Sequence, residues 1–321
     1  MTTEYVVLPE IAKLGHISLV TENLEQSLWF FKDIIGLEET KVENGTHYLR
    51  AWGDFEHHTL AITGGDTSYV DHIAWKTKRP EDVEEFAKML AEDGVDVQWV
   101  ENVEAGQGKA IRFKLPTGHS FELYFEMKKP EVEQNHKSVL KNQSHKSWAK
   151  GISPRRIDHV NLATTMDNKE VTDYLNDKLG FKTREYVVTP DDKPKSSWLS
   201  VTSLVHDLAV MTFDNINTSH ELHHMAYWLE TPQDLLRAAD ILREHELEFI
   251  GPGKHGVSQA MFIYVCDPGS GIRVELFAGG YLIFEPDWEP IKWTHEEFKK
   301  YGSTYWGVKE RGDGRNLTIK A

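Results

Sequence analysis

An α+β fold of four βαβββ modules in two pairs is predicted by three features of the 321-residue sequence. A period-two apolar segment carrying a histidine occurs four times. Each occurrence leads into a stretch with helical character, and the second and fourth copies close alike, on a Pro/Gly turn and a strand holding one glutamate. Such a repeat takes precedence over any local reading, because each copy is one supersecondary unit that buries its apolar face only against its neighbours.

The modules follow in order. In 14–40 (LGHISLVTENLEQSLWFFKDIIGLEET) the alternation around His16 predicts a strand, and Leu28, Phe31 and Ile35 share one face of a helix. Gly36 ends that helix, where a left-handed C-cap costs glycine little. Residues 157–184 repeat the pattern with His159, then Val171, Leu175 and Leu179, then Gly180. Two further copies start at Asp71 and His223, each a His-bearing strand followed by a Pro-containing turn and a helix. Their endings, LPTGHSFELYF at 115–125 and DPGSGIRVELF at 267–277, are turn-then-strand signatures. The modules fall at 14–66, 69–126, 155–214 and 221–279. A polar stretch rich in Lys, Ser and Asn lies between the second and third, as a linker should. The tail after Gly280 holds Tyr281, Phe284, Trp288, Trp293, Phe298, Tyr301, Tyr305 and Trp306, too many aromatics to leave unpacked.

Composition narrows the functions. Hydrophobic residues at 40% and charged residues at 27% suit a globular chain, and the length exceeds the ~250–300 residues one core usually serves. The net charge of −15 argues against nucleic acid as a partner, since phosphate binding draws on Lys and Arg. The single cysteine, Cys266, excludes an internal disulfide and every Cys-based zinc motif. No apolar run approaches the ~20 residues that span a bilayer, and the start of the chain does not have the pattern of a signal peptide. A cytoplasmic protein without a membrane partner is expected. The string Gly251-Pro252-Gly253-Lys254-His255-Gly256 satisfies GxGxxG, but strand-like sequence follows it where a dinucleotide fold needs a helix.

The opening strands of the C-terminal pair carry His159 and His224, and the closing strand carries Glu275. Two imidazoles and a carboxylate from separate strands make a facial triad, which leaves coordination positions open. Ionised Glu275 between Val274 and Leu276 is costly on a sheet face unless a cation such as a divalent metal, or Arg273, neutralises it. His16, His72 and Glu122 hold the corresponding places in the first half. A lone histidine is more often structural. Three positions recurring together in register are what a duplicated ligand scaffold leaves behind, and on this ground alone both halves are candidates.

The paired-module repeat with strand-borne His, His and Glu resembles the vicinal oxygen chelate superfamily. Its second half resembles the type I extradiol ring-cleavage dioxygenases, especially the catechol 2,3-dioxygenases. The match is carried by Arg156-Ile157-Asp158-His159-Val160-Asn161, Val205-His206-Asp207-Leu208-Ala209, Leu222-His223-His224-Met225-Ala226 and Lys254-His255-Gly256. Ile263-Tyr264 and the run from Asp267 through Glu275 to Phe277 complete it. The resemblance implies the glyoxalase/bleomycin-resistance/extradiol dioxygenase fold, in which paired modules form incomplete barrels. It implies an N-terminal domain (1–130) with a degraded metal site, a linker (131–154), a catalytic domain (155–280) and a tail or lid (281–321).

By that resemblance the acid/base residues are His206, His255 and Tyr264. The first half has Arg112 where Tyr264 lies and no histidine in 101–109 to match His255, although His58 aligns with His206. The working half is therefore expected to be the second. The implied reaction is Fe(II)-dependent cleavage of catechol by O2 to 2-hydroxymuconic semialdehyde, in aromatic degradation; Mn(II) fits the same ligands. His206, with a near-neutral pKa, would stabilise and protonate the oxygen species, while Tyr264 and His255 hydrogen-bond the reacting oxygens. Asn161, two residues after His159 on the same strand face, and Ile250 and Val257, flanking His255, are expected in the substrate pocket. The tail and the resemblance together imply a homotetramer. Beside catechol stand two alternatives: another diol, dihydroxybiphenyl or a substituted catechol, and a non-enzymatic ligand-sequestering module of the same fold.

Overall fold

The computed structural model describes residues 8–146, 150–307 and 318–321. Ser147, Trp148 and Ala149 of the expected linker, the first seven residues and 308–317 of the tail lie outside the described residues. Each expected module is present as one strand, one helix and three strands. The first comprises β1 (Ile11–Thr21), α1 (Leu24–Trp29), β2 (Glu38–Glu43), β3 (Thr46–Arg50) and β4 (Leu60–Gly64). Asn23 caps α1 through its side-chain oxygen, which accepts from the Gln26 amide at 3.1 Å. The helix continues as a π-helical stretch, Phe30–Ile35, whose Phe30, Phe31, Ile34 and Ile35 are buried, and Gly36 ends it at φ 86°.

The second module comprises β5 (Tyr69–Thr77), α2 (Pro80–Glu92), β6 (Gln98–Glu101), β7 (Lys109–Lys114) and β8 (Ser120–Tyr124). The third comprises β9 (Arg156–Thr164), α3 (Asn168–Leu179), β10 (Lys182–Val188), β11 (Pro194–Ser200) and β12 (Leu208–Thr212). The fourth comprises β13 (Glu221–Leu229), α4 (Pro232–Glu244), β14 (Phe249–Lys254), β15 (Ala260–Cys266) and β16 (Arg273–Gly279). The repeat extends to capping chemistry. In both α2 and α4 a proline opens the helix, and Asp82 or Asp234 reaches back to the N-cap amide at 2.9 Å.

The first two modules form one sheet in the order β2-β3-β4-β1-β5-β8-β7-β6. The last two repeat it as β10-β11-β12-β9-β13-β16-β15-β14. In each sheet the opening strands of the two modules run antiparallel at the centre, and each has a parallel partner outside it. The tail adds β17 (Ile291–Trp293) beside β10, α5 (His295–Glu297) with a π-helical stretch Phe298–Gly302, β18 (Trp306–Gly307) beside β14, and β19 (Ile319–Lys320) beside β13. The described part of the tail is therefore attached to the sheet, with Trp293 and Phe298 packed on it, while Phe284, Tyr301, Tyr305 and Trp306 stay exposed.

The helices and one face of each sheet share a continuous apolar core across both halves. Trp75 of β5 meets Phe181, which follows α3, edge to face at 5.0 Å. Ser27 Oγ donates to Asp267 at 2.6 Å across the same boundary. Among the described residues no helix is long and apolar enough to cross a membrane.

Candidate metal centre and substrate pocket

Strand alternation builds the site. Val160 and Leu162 of β9, Met225 of β13, Ile263 and Val265 of β15, and Val274 and Leu276 of β16 belong to the core. Their neighbours His159, Asn161, His224, Tyr264, Glu275 and Phe277 therefore point to the opposite face, where they line a cavity of about 350 Å³. Central pairing of β9 with β13 sets the two histidines side by side, and Tyr264 stands directly across the ladder from Glu275.

Three ligand atoms converge. His159 Nε2 lies 3.3 Å from His224 Nε2 and 2.9 Å from Glu275 Oε2, and His224 Nε2 lies 3.2 Å from the same oxygen. All three residues are buried. Asp158 accepts from His159 Nδ1 at 2.8 Å, so a neutral His159 turns its Nε2 lone pair toward the Glu275 carboxylate. Two acceptors at 2.9 Å require a proton or a cation between them. The protein alone answers with a proton: burial opposes it, but Asp158 and Glu275 raise His159 to about 9. Burial likewise works against the Glu275 carboxylate, yet its hydrogen bonds from His159 and His224 hold it well below the usual range. Glu275 Oε1 accepts no hydrogen bond. A divalent metal fits this donor set, taking a lone pair from each imidazole and charge from the carboxylate.

The expected acid/base residues surround the triad. His255 donates from Nδ1 to the Ser303 carbonyl, so in the neutral ring Nε2 accepts from Tyr264 Oη, 3.1 Å away. The same Nε2 is 3.5 Å from Glu275 Oε1. The His206 ring centre is 4.1 Å from that of His159, and its Nδ1 has no hydrogen-bond partner. Its expected near-neutral pKa does not hold. Burial, reinforced by His159, pushes it well below the ordinary imidazole value, so the ring is neutral at pH 7.

Asn161 and Val257 line the cavity. Ile250 does not, contrary to expectation. It faces Tyr264 across the β14–β15 pair, which puts it one strand, about 5 Å, farther from Glu275 than Tyr264 is. Sequence reasoning missed much of the apolar lining: Trp198, Met211, Phe213, Phe262 and Phe298, with Gly302, Ser303 and Thr304 beside them. The period-two pattern around Trp198 could have placed it; nothing in the sequence says that Phe298 folds back onto it.

The first half arranges its copy differently, bringing His16 and His72 together with Glu104 instead of Glu122. Glu122 receives Arg112 Nε at 2.6 Å and the Gln107 amide, which leaves His16 at 3.8 Å and His72 at 3.7 Å. The carboxylate that meets these imidazoles is Glu104, 2.9 Å from His16, 3.1 Å from His58 and 3.1 Å from His72. Arg112 Nη2 joins them 3.2 Å from Glu104, so an internal cation already stands against both carboxylates. Glu104 lies inside 101–109, the stretch that offered no histidine.

Comparison with known proteins finds likeness over nearly the whole chain. Residues 156–276 match the glyoxalase/bleomycin resistance protein/dioxygenase superfamily, and residues 70–128 match the catechol 2,3-dioxygenase-like N-terminal domain. A manganese-dependent 2,3-dihydroxybiphenyl 1,2-dioxygenase from Geobacillus genomosp. 3 is 54% identical over 308 residues, 95% of this chain and 96% of the relative. A metapyrocatechase from Geobacillus stearothermophilus is 40% identical, covering 93% of this chain and 90% of its own. Among solved structures, the 2,3-dioxygenase LapB from Pseudomonas sp. KL28 superposes with a TM-score of 0.81 at 32% identity, over 91% of this chain and 100% of its own.

Proposed function

The chain belongs to the extradiol dioxygenases of the glyoxalase/bleomycin resistance protein/dioxygenase superfamily, and from that premise we propose that it opens the ring of a bicyclic aromatic diol of the 2,3-dihydroxybiphenyl kind. His159, His224 and Glu275 hold the metal, Fe(II) or Mn(II). The cavity carries the choice of substrate. A void of about 150 Å³ already takes a benzene ring, so about 350 Å³ leaves space for a second ring. Its lining is of two kinds: histidines, Tyr264 and Glu275, and the apolar Trp198, Met211, Phe213 and Phe298. Among the described residues no lysine or arginine lines the cavity, which favours an uncharged diol over a carboxylated one. The 54%-identical relative is named for that substrate and for manganese.

When bound, the divalent ion supplies Lewis acidity that favours the diolate and a redox channel between diol and dioxygen. The chain's own groups do the rest. Tyr264 and His255 form one hydrogen-bonded unit beside the triad, and this unit takes the proton of a diol hydroxyl, His255 passing its positive charge toward Glu275 and the Ser303 carbonyl. Neutral His206, whose ring lies beside that of His159, donates a hydrogen bond to the oxygen being reduced. The apolar wall orients the distal ring and excludes water from the reacting end. Cleavage falls beside the two hydroxyls, one oxygen atom entering the new carboxylate and the other the new carbonyl.

Catechol is the second reading, favoured by the 40%-identical metapyrocatechase. It has a single ring to fill a cavity of about 350 Å³. Steady-state assays of metal-loaded protein with both diols decide between them. A kcat/KM at least tenfold higher for 2,3-dihydroxybiphenyl is expected; a preference for catechol overturns the bicyclic reading, and no yellow product from any diol overturns both. We also place a contact between copies on the tail, where Leu282, Phe284, Tyr305 and Trp306 are exposed, giving a homotetramer; a monomer by light scattering refutes it.

A further inference from the structure

Glu185 of β10 is a buried carboxylate with no lysine or arginine ion pair among the described residues. Three neutral donors hold it instead. Its Oε1 accepts from the Ser258 amide at 2.8 Å and from Tyr281 Oη at 2.8 Å, and its Oε2 accepts from Trp293 Nε1 at 2.7 Å. The donors come from two segments far apart in sequence: the loop that follows His255, and the tail. Both segments end on the pocket. The loop contributes Val257, and the tail contributes Phe298 five residues beyond Trp293. Across the β10–β11 ladder Glu185 stands opposite Trp198, a third wall residue. Val187, Trp198 and Val257 pack together with Trp293 and Phe298 as one apolar cluster beside the cavity.

The loop needs such a hold. Ser258 and Gln259 lie in succession at φ 62° and φ 58°, a left-handed pair that non-glycine residues adopt only when their surroundings impose it. The Ser258 amide bond to Glu185 fixes the first of them. Gly256 and Val257 then donate to the Gly302 carbonyl at 2.8 and 3.1 Å, so loop and tail are bound to each other as well as to Glu185.

We propose that Glu185 is a positioning residue that sets the selectivity of the distal end of the pocket, by fixing Val257 and Phe298 against Trp198. The assignment rests on the bicyclic-diol reading and extends it. A carboxylate suits the task because it is acceptor-only, and each of its oxygens meets N–H or O–H groups from loop or tail. A glutamine of the same shape must turn its NH2 against at least one donor, which loosens one side of the wall and spares the metal ligands.

The test is Glu185→Gln in the metal-loaded protein, read as the ratio of kcat/KM for 2,3-dihydroxybiphenyl to that for catechol, with metal content measured on the same preparation. The ratio is expected to fall at least fivefold while metal stays stoichiometric. Tyr281→Phe removes one donor and leaves the carboxylate, and it should lower the ratio two- to threefold. Should the glutamine variant fold poorly, this second variant carries the test. Wild-type protein that prefers the bicyclic diol, with both variants keeping that preference, overturns the Glu185 assignment alone. Wild-type protein that cleaves both diols alike overturns the substrate reading and the selectivity role together.

Discussion

Asp158→Asn separates the metal ligands from what holds them. Asp158 is 4% exposed, accepts from His159 Nδ1 at 2.8 Å and pairs with Arg156 at 2.7 Å. Asparagine keeps the volume and one acceptor, so the His159 ring keeps its orientation. It loses the charge that makes the imidazole a better electron donor, and its amide nitrogen must face Arg156. Loss of such a partner typically weakens metal affinity 10- to 100-fold, which at about 1.4 kcal/mol per decade is about 1.4–2.8 kcal/mol. The assay is competition between apoprotein and a chelating dye for Mn(II). A Kd raised 10- to 100-fold is expected, with turnover recovering at excess metal because no group facing the diol has changed. An unchanged Kd would refute the idea that Asp158 tunes His159, and abolished binding in a folded protein would mean that Asp158 is itself a ligand.

Tyr264→Phe should retain metal and lose about 10²- to 10⁴-fold in kcat, the usual worth of a positioned acid/base group; loss within a factor of three would remove Tyr264 from the proton path. Acid stability offers a separate check. Lys13, Lys76 and Tyr124 hold Glu56 at about 2 against the burial that would raise it, so its contribution is complete above pH 4.5 and fades as pH falls through 2. The shift corresponds to roughly 3 kcal/mol, and Glu56→Gln should flatten urea-unfolding stability between pH 5 and 2; an acid limb as steep as wild type contradicts this.

Much of the fold was legible because the repeat was. Period-two strands, Gly36, Gly180 and the paired Pro80 and Pro232 turns are local signals that the structure preserves. The triad was legible for the same reason, since three residues in register on duplicated strands must meet on one sheet face. What escaped depends on distance. Strands β17, β18 and β19 are two or three residues long, too short to show a period, and only their partners make them strands. Ile250 was placed by closeness in sequence to His255, but a strand pair carries it away from the metal side chains. Glu104, partly buried, and Glu185, buried, are carboxylates whose partners come from other elements, and a single sequence gives no sign of such pairing.

The central claim is that one cation-binding face, in the second half of the chain, does the chemistry. Metal content of purified Glu275→Ala and Glu122→Ala proteins, measured beside wild type after loading with Mn(II) or Fe(II), tests it most directly. Wild type and the Glu122 variant should carry a full complement and the Glu275 variant almost none. Metal lost from the Glu122 variant and kept by the Glu275 variant would put the working site in the other half.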